Sequence, residues 1–192
     1  MSFYINLDGR TDRRLQFEEE CQKMNIVVER FPAIEHDIGG IGCTESHLMV
    51  LKKARDLKLE SVTIFEDDFQ FLISREEYDQ ILSNLPNDYD VVMLSYNMRQ
   101  SEPYNEMFGK VIEVQTASGY IVHSRFYDNL INRMEEGLIL FKNNPNDGHL
   151  FINDEYWKPL QPISKWYYSL KRVGLQRPSF SNLMKYDVNY GC

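Results

Sequence analysis

The chain is short of the residues that staple a fold or anchor it in a bilayer. Its three cysteines, Cys21, Cys43 and Cys192, are odd in number and include no CxxC pair. A disulfide framework and a zinc knuckle are therefore excluded as the basis of the fold. Reduced thiols are the expectation, the usual condition of an intracellular protein. Long apolar runs are missing as well. Stretches such as Ile26-Val27-Val28 and Val91-Val92-Met93-Leu94 fall far short of the ~20 residues of a membrane span. The first residues carry no basic segment and meet Asp8 early, so they read as a core strand and not a signal peptide, and the expected location is cytoplasmic. Positive charge is scarce: 21 Lys and Arg stand against 29 Asp and Glu, a formal charge of −8. A binder of the phosphate backbone needs the opposite sign, so a nucleic-acid partner is excluded. No Ser/His/Asp triad is legible, and no cysteine sits in a nucleophile context.

What is present is globular. Hydrophobic residues make up 43% and charged residues 26% of 192 positions, enough for one packed core. There is no repeat, linker or low-complexity stretch, so a single domain over 1–192 is expected. Charge is uneven within it. Residues 161–192 hold Lys165, Lys171, Arg172, Arg177 and Lys185 against Asp187 alone. Such a basic segment either pairs with the acidic body on which it packs or faces an anionic ligand.

Apolar periodicity predicts strands over 3–7, 26–31, 61–65, 91–94, 110–114 and 119–123. Helices are predicted over 11–24 (with Leu15, Phe17, Cys21 and Met24 near one face), 43–58, from the Ser74/Glu77 capping box to Leu85, and from Ser124 through Met134, with a short one over 153–160. Pro32 should stop the second strand. Residues 96–108 read as a polar loop, and the aromatic-rich stretch after 160 as irregular. Strands alternating with amphipathic helices mean an α/β fold with a mostly parallel central sheet and helices on both faces.

Three constellations carry candidate chemistry. Ile64-Phe65-Glu66-Asp67-Asp68 puts three acids at the end of a buried strand, where they cost stability unless a cation or basic side chains compensate. Ligands of open α/β sheets bind at the carboxyl ends of strands. Glu66 and Asp68, two apart in an extended segment, would point the same way and share one ion, for which oxygen ligands suit Mg²⁺ or Mn²⁺. Gly40-Ile41-Gly42-Cys43-Thr44-Glu45-Ser46-His47 opens a helix with glycines, which lets an anion approach the backbone, although it is neither a GxGxxG nor a P-loop motif. Asn6-Leu7-Asp8-Gly9-Arg10-Thr11-Asp12-Arg13-Arg14 crowds three arginines at the first strand–helix turn, suited to phosphate or to surface pairing with Asp8 and Asp12. Asp154-Glu155, beside Tyr156-Trp157, is a candidate general base next to an aromatic platform for a sugar ring.

In order and spacing these segments resemble glycosyltransferase family 25, the lipopolysaccharide and collagen β-galactosyltransferase group. The matching pieces are Tyr4-Ile5-Asn6-Leu7-Asp8 with Arg10, Asp12, Arg13 and Arg14; Glu29-Arg30-Phe31 with Ala33-Ile34; Gly42-Cys43 with Ser46-His47; Ile64 through Asp68; Gly119-Tyr120 with Val122; and the tail from Gln176 to Ser181. The resemblance implies a GT-A-like nucleotide-sugar fold. It also implies inverting transfer of a hexose from UDP-galactose or UDP-glucose to a glycan hydroxyl or to hydroxylysine of a collagen-like protein, with Mn²⁺ or Mg²⁺ at the acidic motif. By position, Asp68 and Glu66 become the metal ligands. Asn6, Leu7, Asp8, Arg10, Arg13, Ser46, Glu66, Asp67, Gly119 and Arg177 become donor-binding residues, and Asp154, then Glu155, the base. The chain departs from the pattern in having Glu66 as the first acid and Asn182 where an Asp often follows the serine, which leaves His149 as an alternative ligand. A sugar-binding module without turnover and a two-carboxylate glycoside hydrolase are the competing readings.

Overall fold

The computed structural model describes residues 1–180, 187–188 and 191. In chain order the elements are β1 (Ser2–Asn6), α1 (Thr11–Lys23), β2 (Glu29–Pro32), α2 (Gly39–Asp56), β3 (Ser61–Glu66), β4 (Phe69–Phe71), α3 (Arg75–Ser83) and β5 (Val91–Met93). After these come β6 (Asn97–Pro103), β7 (Phe108–Gln115), β8 (Gly119–His123), α4 (Tyr127–Asn143), α5 (Gly148–Phe151), α6 (Asn153–Tyr156), β9 (Trp166–Ser169) and β10 (Gly174–Gln176). Eight strands form one sheet in the order β2-β1-β3-β8-β5-β9-β7-β6. The pairs β1–β2, β1–β3 and β5–β9 are parallel, and β8 and β7 run against their neighbours. Every strand but these two therefore points one way, and the expected α/β sheet is a mixed one by adjacency.

The alternation of side chains along the strands builds two cores, one on each face. Phe3, Ile5, Val62, Ile64, Val91, Met93, Tyr120, Val122 and Trp166 pack with Leu48 and Leu51 of α2 and with Leu130 and Ile131 of α4. Tyr4, Phe65, Val92, Ile121 and Tyr167 pack on the other face with Phe17 of α1 and with Tyr78 and Ile81 of α3. Because helices cover both faces, the central strands are apolar throughout and lack an in–out pattern. Among the described residues no helix is long and apolar enough to cross a membrane.

Several expectations change. Residues 166–169 are not irregular: Trp166 and Tyr167 are buried, and their strand lies at the centre of the sheet between β5 and β7. The predicted polar loop over 96–108 is largely β6, an edge strand whose polar, partly exposed side chains hide its pairing with β7. Pro32 ends β2 from within it, pairing with Asn6. This is possible because β2 is the other edge, where a missing N–H costs no ladder bond. The glycines that precede the helix predicted from residue 43 belong to the first turn of α2. A Cβ on Gly42 would lie 2.4 Å from the Ile34 carbonyl oxygen, so the glycine serves close backbone packing. Leu15 is 66% exposed and leaves the α1 face to Phe17 and Cys21. The capping box is present as read, with the Ser74 hydroxyl accepting from Glu77 N and the Glu77 carboxylate from Ser74 N.

Candidate active site

A cavity of about 1030 Å³ opens at the carboxyl ends of β1 and β3 and extends to the loops before α2 and around α5 and α6. One corner of it is acidic. After Glu66 closes β3 the chain turns through Asp67 and Asp68 into β4, so the three acids do not continue in extended register. The premise that Glu66 and Asp68 share one ligand by strand alternation fails for this reason. The structure instead divides the acids between two sets of partners.

Asp67 and Asp68 belong to Arg13. Its Nη1 lies 3.0 Å from Asp67 Oδ1 and 2.9 Å from Asp68 Oδ2, with all three side chains largely buried. Asn6 Nδ2 donates to Asp67 Oδ2 at 2.7 Å, and Gln176 Nε2 to Asp68 Oδ2 at 3.2 Å. The Arg177 backbone N–H donates to the Asp68 carbonyl at 2.7 Å. Asp68 Oδ1 is buried and accepts no hydrogen bond. Burial, then the charge of Glu66, push the Asp68 carboxyl up to about 7, with Arg13 opposing. Burial also raises Asp67, against Arg13 and Asn6. A buried carboxylate oxygen without a partner beside two other acids is a donor set ready for a cation.

Glu66 belongs to α2. His47 Nε2 lies 3.1 Å from Glu66 Oε1, Cys43 Sγ donates to the same oxygen at 3.8 Å, and His47 Nδ1 lies 2.9 Å from the Tyr120 hydroxyl. Burial works against the charge on Glu66, but His47, Arg13 and Cys43 outweigh it and its carboxyl is held below the ordinary value. Burial raises the Cys43 thiol well above the usual range, helped by Glu66.

In the same cavity, Asp154 Oδ2 accepts from the Thr116 backbone N–H at 3.2 Å. Burial, then Glu155 and Glu66, push its carboxyl up to about 6, against Thr116 and Lys158. Glu155 is committed to Lys158 at 2.7 Å. A half-buried carboxyl titrating near neutrality with no arginine against it has the properties of a general base.

The expected residues separate on this geometry. Asn6, Arg13, Glu66, Asp67 and Asp68 converge on the acidic corner, while Leu7, Arg10, Ser46, Asp154, Glu155, Arg177 and His149 also line the cavity. Arg10 pairs with Asp12 at 2.9 Å, and Arg177 Nη1 donates to Gln16. The Ser46 hydroxyl donates to the Gly42 carbonyl at 2.6 Å and accepts from Ile34 N at 2.8 Å, so it fixes the loop before α2. Asp8 lies outside, 83% exposed and bridged to Arg30 at 2.6 Å. Gly119 lies within the sheet beneath Phe69, whose ring a Cβ would approach to 2.4 Å; its role is packing. The aromatic platform beside Asp154 is absent: Trp157 is fully buried against Trp166 and Tyr120, and the Arg133 guanidinium covers the Tyr156 ring at 3.7 Å. The basic segment mostly pairs within the fold, Lys165 with Asp88 and Lys171 with Glu77, while Arg177 reaches the cavity. Lys185, Ser181 and Asn182 lie outside the described residues.

Sequence reasoning missed Asn153, Asn97 and Arg99, all on the cavity wall. Asn153 is 1% exposed with Nδ2 buried and unpartnered, a donor poised for a ligand. It also missed that Cys43 and His47, one helical turn apart, share a face with Glu66. The i, i+4 spacing was the available signal.

The sequence signature of glycosyltransferase family 25 (LPS biosynthesis protein) matches residues 38–144. A Haemophilus influenzae protein provisionally named a glycosyltransferase is 32% identical over 80 residues, which are 42% of this chain and 28% of that protein. The crystal structure of a glycosyltransferase involved in the glycosylation of the major capsid of PBCV-1 is similar with a TM-score of 0.59 at 9% identity, over 96% of this chain and 95% of that one. A Drosophila β1,4-galactosyltransferase 7 mutant in complex with manganese, UDP-Gal and xylobiose gives 0.52 at 9% identity, over 98% and 74%. These likenesses carry the GT-A-like fold. With its signature matched over more than half of the length, on that fold and with an acidic cavity at the strand ends, the chain belongs to glycosyltransferase family 25.

Proposed function

We propose that the protein transfers a hexose, galactose or glucose, from a UDP-sugar to a hydroxyl acceptor on a glycan or on hydroxylysine of a collagen-like protein, with inversion and with the aid of Mn²⁺ or Mg²⁺. The observation that carries this reading is the presence, in one cavity, of an acidic corner and a separate unclamped carboxyl, Asp154. The Drosophila neighbour's complex with manganese and UDP-Gal supports the donor class.

Asp68, through its unpartnered Oδ1, and Glu66 are the residues that would hold the ion, with Asp67 beside them. Bound there, a divalent ion supplies a counter-charge to a diphosphate leaving group. Arg13 adds fixed positive charge to the same corner, and Arg10 and Arg177 border the cavity. Asn6 and Gln176 hold the two aspartates in place. Asp154, deprotonated above about pH 6, takes the acceptor hydroxyl proton as that oxygen attacks the anomeric carbon from the side opposite the diphosphate. The Asn153 amide is a donor for a sugar hydroxyl next to it.

A thermal-shift panel of UDP-sugars with and without Mn²⁺, followed by assay of UDP release, tests the reading. The donor should raise the melting temperature according to RT ln(1 + [L]/Kd), and more with Mn²⁺ present. Release of UDP should require an acceptor and an intact Asp68. Equal turnover by Asp68→Ala would remove the metal-holding role from that residue.

A further inference from the structure

We infer that Cys43, His47 and Glu66 form a site for a thiophilic divalent ion, Zn²⁺ or Co²⁺, beside the corner where Asp67 and Asp68 gather. The ligand atoms of these three side chains lie within 4.8 Å of one another, and all three residues border the open cavity, so an ion can reach them from solvent. Tetrahedral zinc, with bonds of about 2.0–2.3 Å to N, O and S, separates its ligands by about 3.3–3.7 Å. The present separations of 3.1 Å from His47 Nε2 and 3.8 Å from Cys43 Sγ to Glu66 Oε1 bracket that range.

The chemistry of the donors selects the metal. One sulfur, one imidazole nitrogen and one carboxylate suit Zn²⁺ and Co²⁺, whereas Mg²⁺ and Mn²⁺ prefer the all-oxygen set of Glu66, Asp67 and Asp68, with which this site shares Glu66. The scaffold is rigid. Cys43 and His47 sit one turn apart on α2, Glu66 ends β3, and Tyr120 of β8 holds the far nitrogen of the imidazole at 2.9 Å. That hydroxyl is the outer partner that orients a metal-bound histidine. Three protein ligands would leave a tetrahedral ion one further position.

The exchange balances. With the neutral imidazole protonated on Nε2, the Cys43 S–H and the His47 Nε2–H both donate to Glu66 in the free protein. On binding, the thiol proton leaves to solvent and the sulfur becomes a thiolate ligand. The ring proton moves from Nε2 to Nδ1, where it donates to the Tyr120 oxygen, and Nε2 takes the metal. The dication is neutralised by thiolate and carboxylate, and one proton is released per ion. Because Glu66 also faces Asp68, an ion here would reorganise the acidic corner. That consequence rests on the proposed donor site, whereas the binding itself does not.

Co²⁺ titration of the full chain, followed by near-ultraviolet absorption and proton release, tests the site without any glycosyl donor. The expected result is a sulfur-to-cobalt charge-transfer band in the parent, retained in Cys21→Ala/Cys192→Ala, lost in Cys43→Ser, and reached at about tenfold higher Co²⁺ in Tyr120→Phe. The Cys21→Ala/Cys192→Ala protein keeps Cys43 as its sole thiol, so it decides the matter even if Cys43→Ser fails to fold. Absence of the band from that protein, or its survival in a folded Cys43→Ser, overturns the inference. A failure here leaves UDP-sugar binding untouched, so it is distinguishable from failure of the proposed function.

Discussion

Two regions of the cavity handle buried charge in opposite ways. At the acidic corner Asp67 and Asp68 share the Arg13 guanidinium, with Asn6 and Gln176 as further donors, so most of the charge is already answered by the protein. Elsewhere in the cavity Asp154 accepts from one backbone donor, Thr116 N–H, and meets no arginine among the described residues, and its carboxyl sits near pH 6. The corner is built to hold charge still, and Asp154 to let a proton come and go. A ligand that enters the corner has to share or displace Arg13, whereas one that meets Asp154 finds a carboxylate with little to give up.

Asp154→Asn should break the second half of that contrast. Transfer should fall by about 10²–10⁴-fold in kcat, the usual worth of a positioned base, with UDP-sugar binding kept, as single-turnover and binding assays would read. The same change should stabilise the fold. The Asp154 carboxyl is raised from 3.8 to about 6, so the native state binds more protons than the unfolded chain between those values, and the parent loses stability as pH climbs through that window. The variant should therefore melt higher than the parent above pH 6, with the difference vanishing near pH 4. A variant that melts lower at pH 7 would mean the carboxylate is stabilising and not held against its solvation.

Arg13→Gln attacks the acidic corner. It leaves two buried acids facing each other at a cost of about 3–5 kcal/mol, or roughly 10 °C in melting temperature for a chain of this length. Mn²⁺ should recover part of the loss in Arg13→Gln more than in the parent, since the ion then meets acids without a competing guanidinium. No difference in metal response between the two would argue that the ion and Arg13 do not share ligands. In the parent, kcat/KM should drop about tenfold per pH unit below pH 6 as Asp154 protonates, and that slope should be absent from the residual activity of Asp154→Asn. The smallest effect is structural. Gly119→Ala, forced against Phe69, should cost about 1–3 kcal/mol by overpacking while leaving donor affinity unchanged, which would separate this β8 position from the donor site.

The acidic strand end, the arginine-rich first turn and the two-faced α/β sheet were legible because each rests on local pattern: a short apolar strand running into charges, and helices with one apolar stripe. Residues 166–169 were not, because a strand buried on both faces by aromatics shows no alternation and resembles an irregular aromatic patch. β6 was hidden for the opposite reason, an edge strand carrying polar side chains. At the site, Glu66 and Asp68 were paired on the assumption that the strand continues. The turn at Asp67 instead sends Glu66 towards His47 and Cys43 of α2 and Asp68 towards Arg13 of α1, contacts between segments far apart in sequence that no spacing rule reaches. Trp157 looked like a sugar platform and proved to be core, since an aromatic next to acids is as readily a packing residue as a surface one.

Donor binding is assigned to the acidic corner and proton removal to Asp154, two separate groups of one cavity. Calorimetric titration of UDP-galactose and UDP-glucose with Mn²⁺ into the parent, Asp68→Ala and Asp154→Asn separates the two roles. Asp154→Asn should bind a donor as the parent does, while Asp68→Ala should bind it at least tenfold more weakly. Parent-like affinity in Asp68→Ala, or loss of binding in Asp154→Asn, would contradict that assignment.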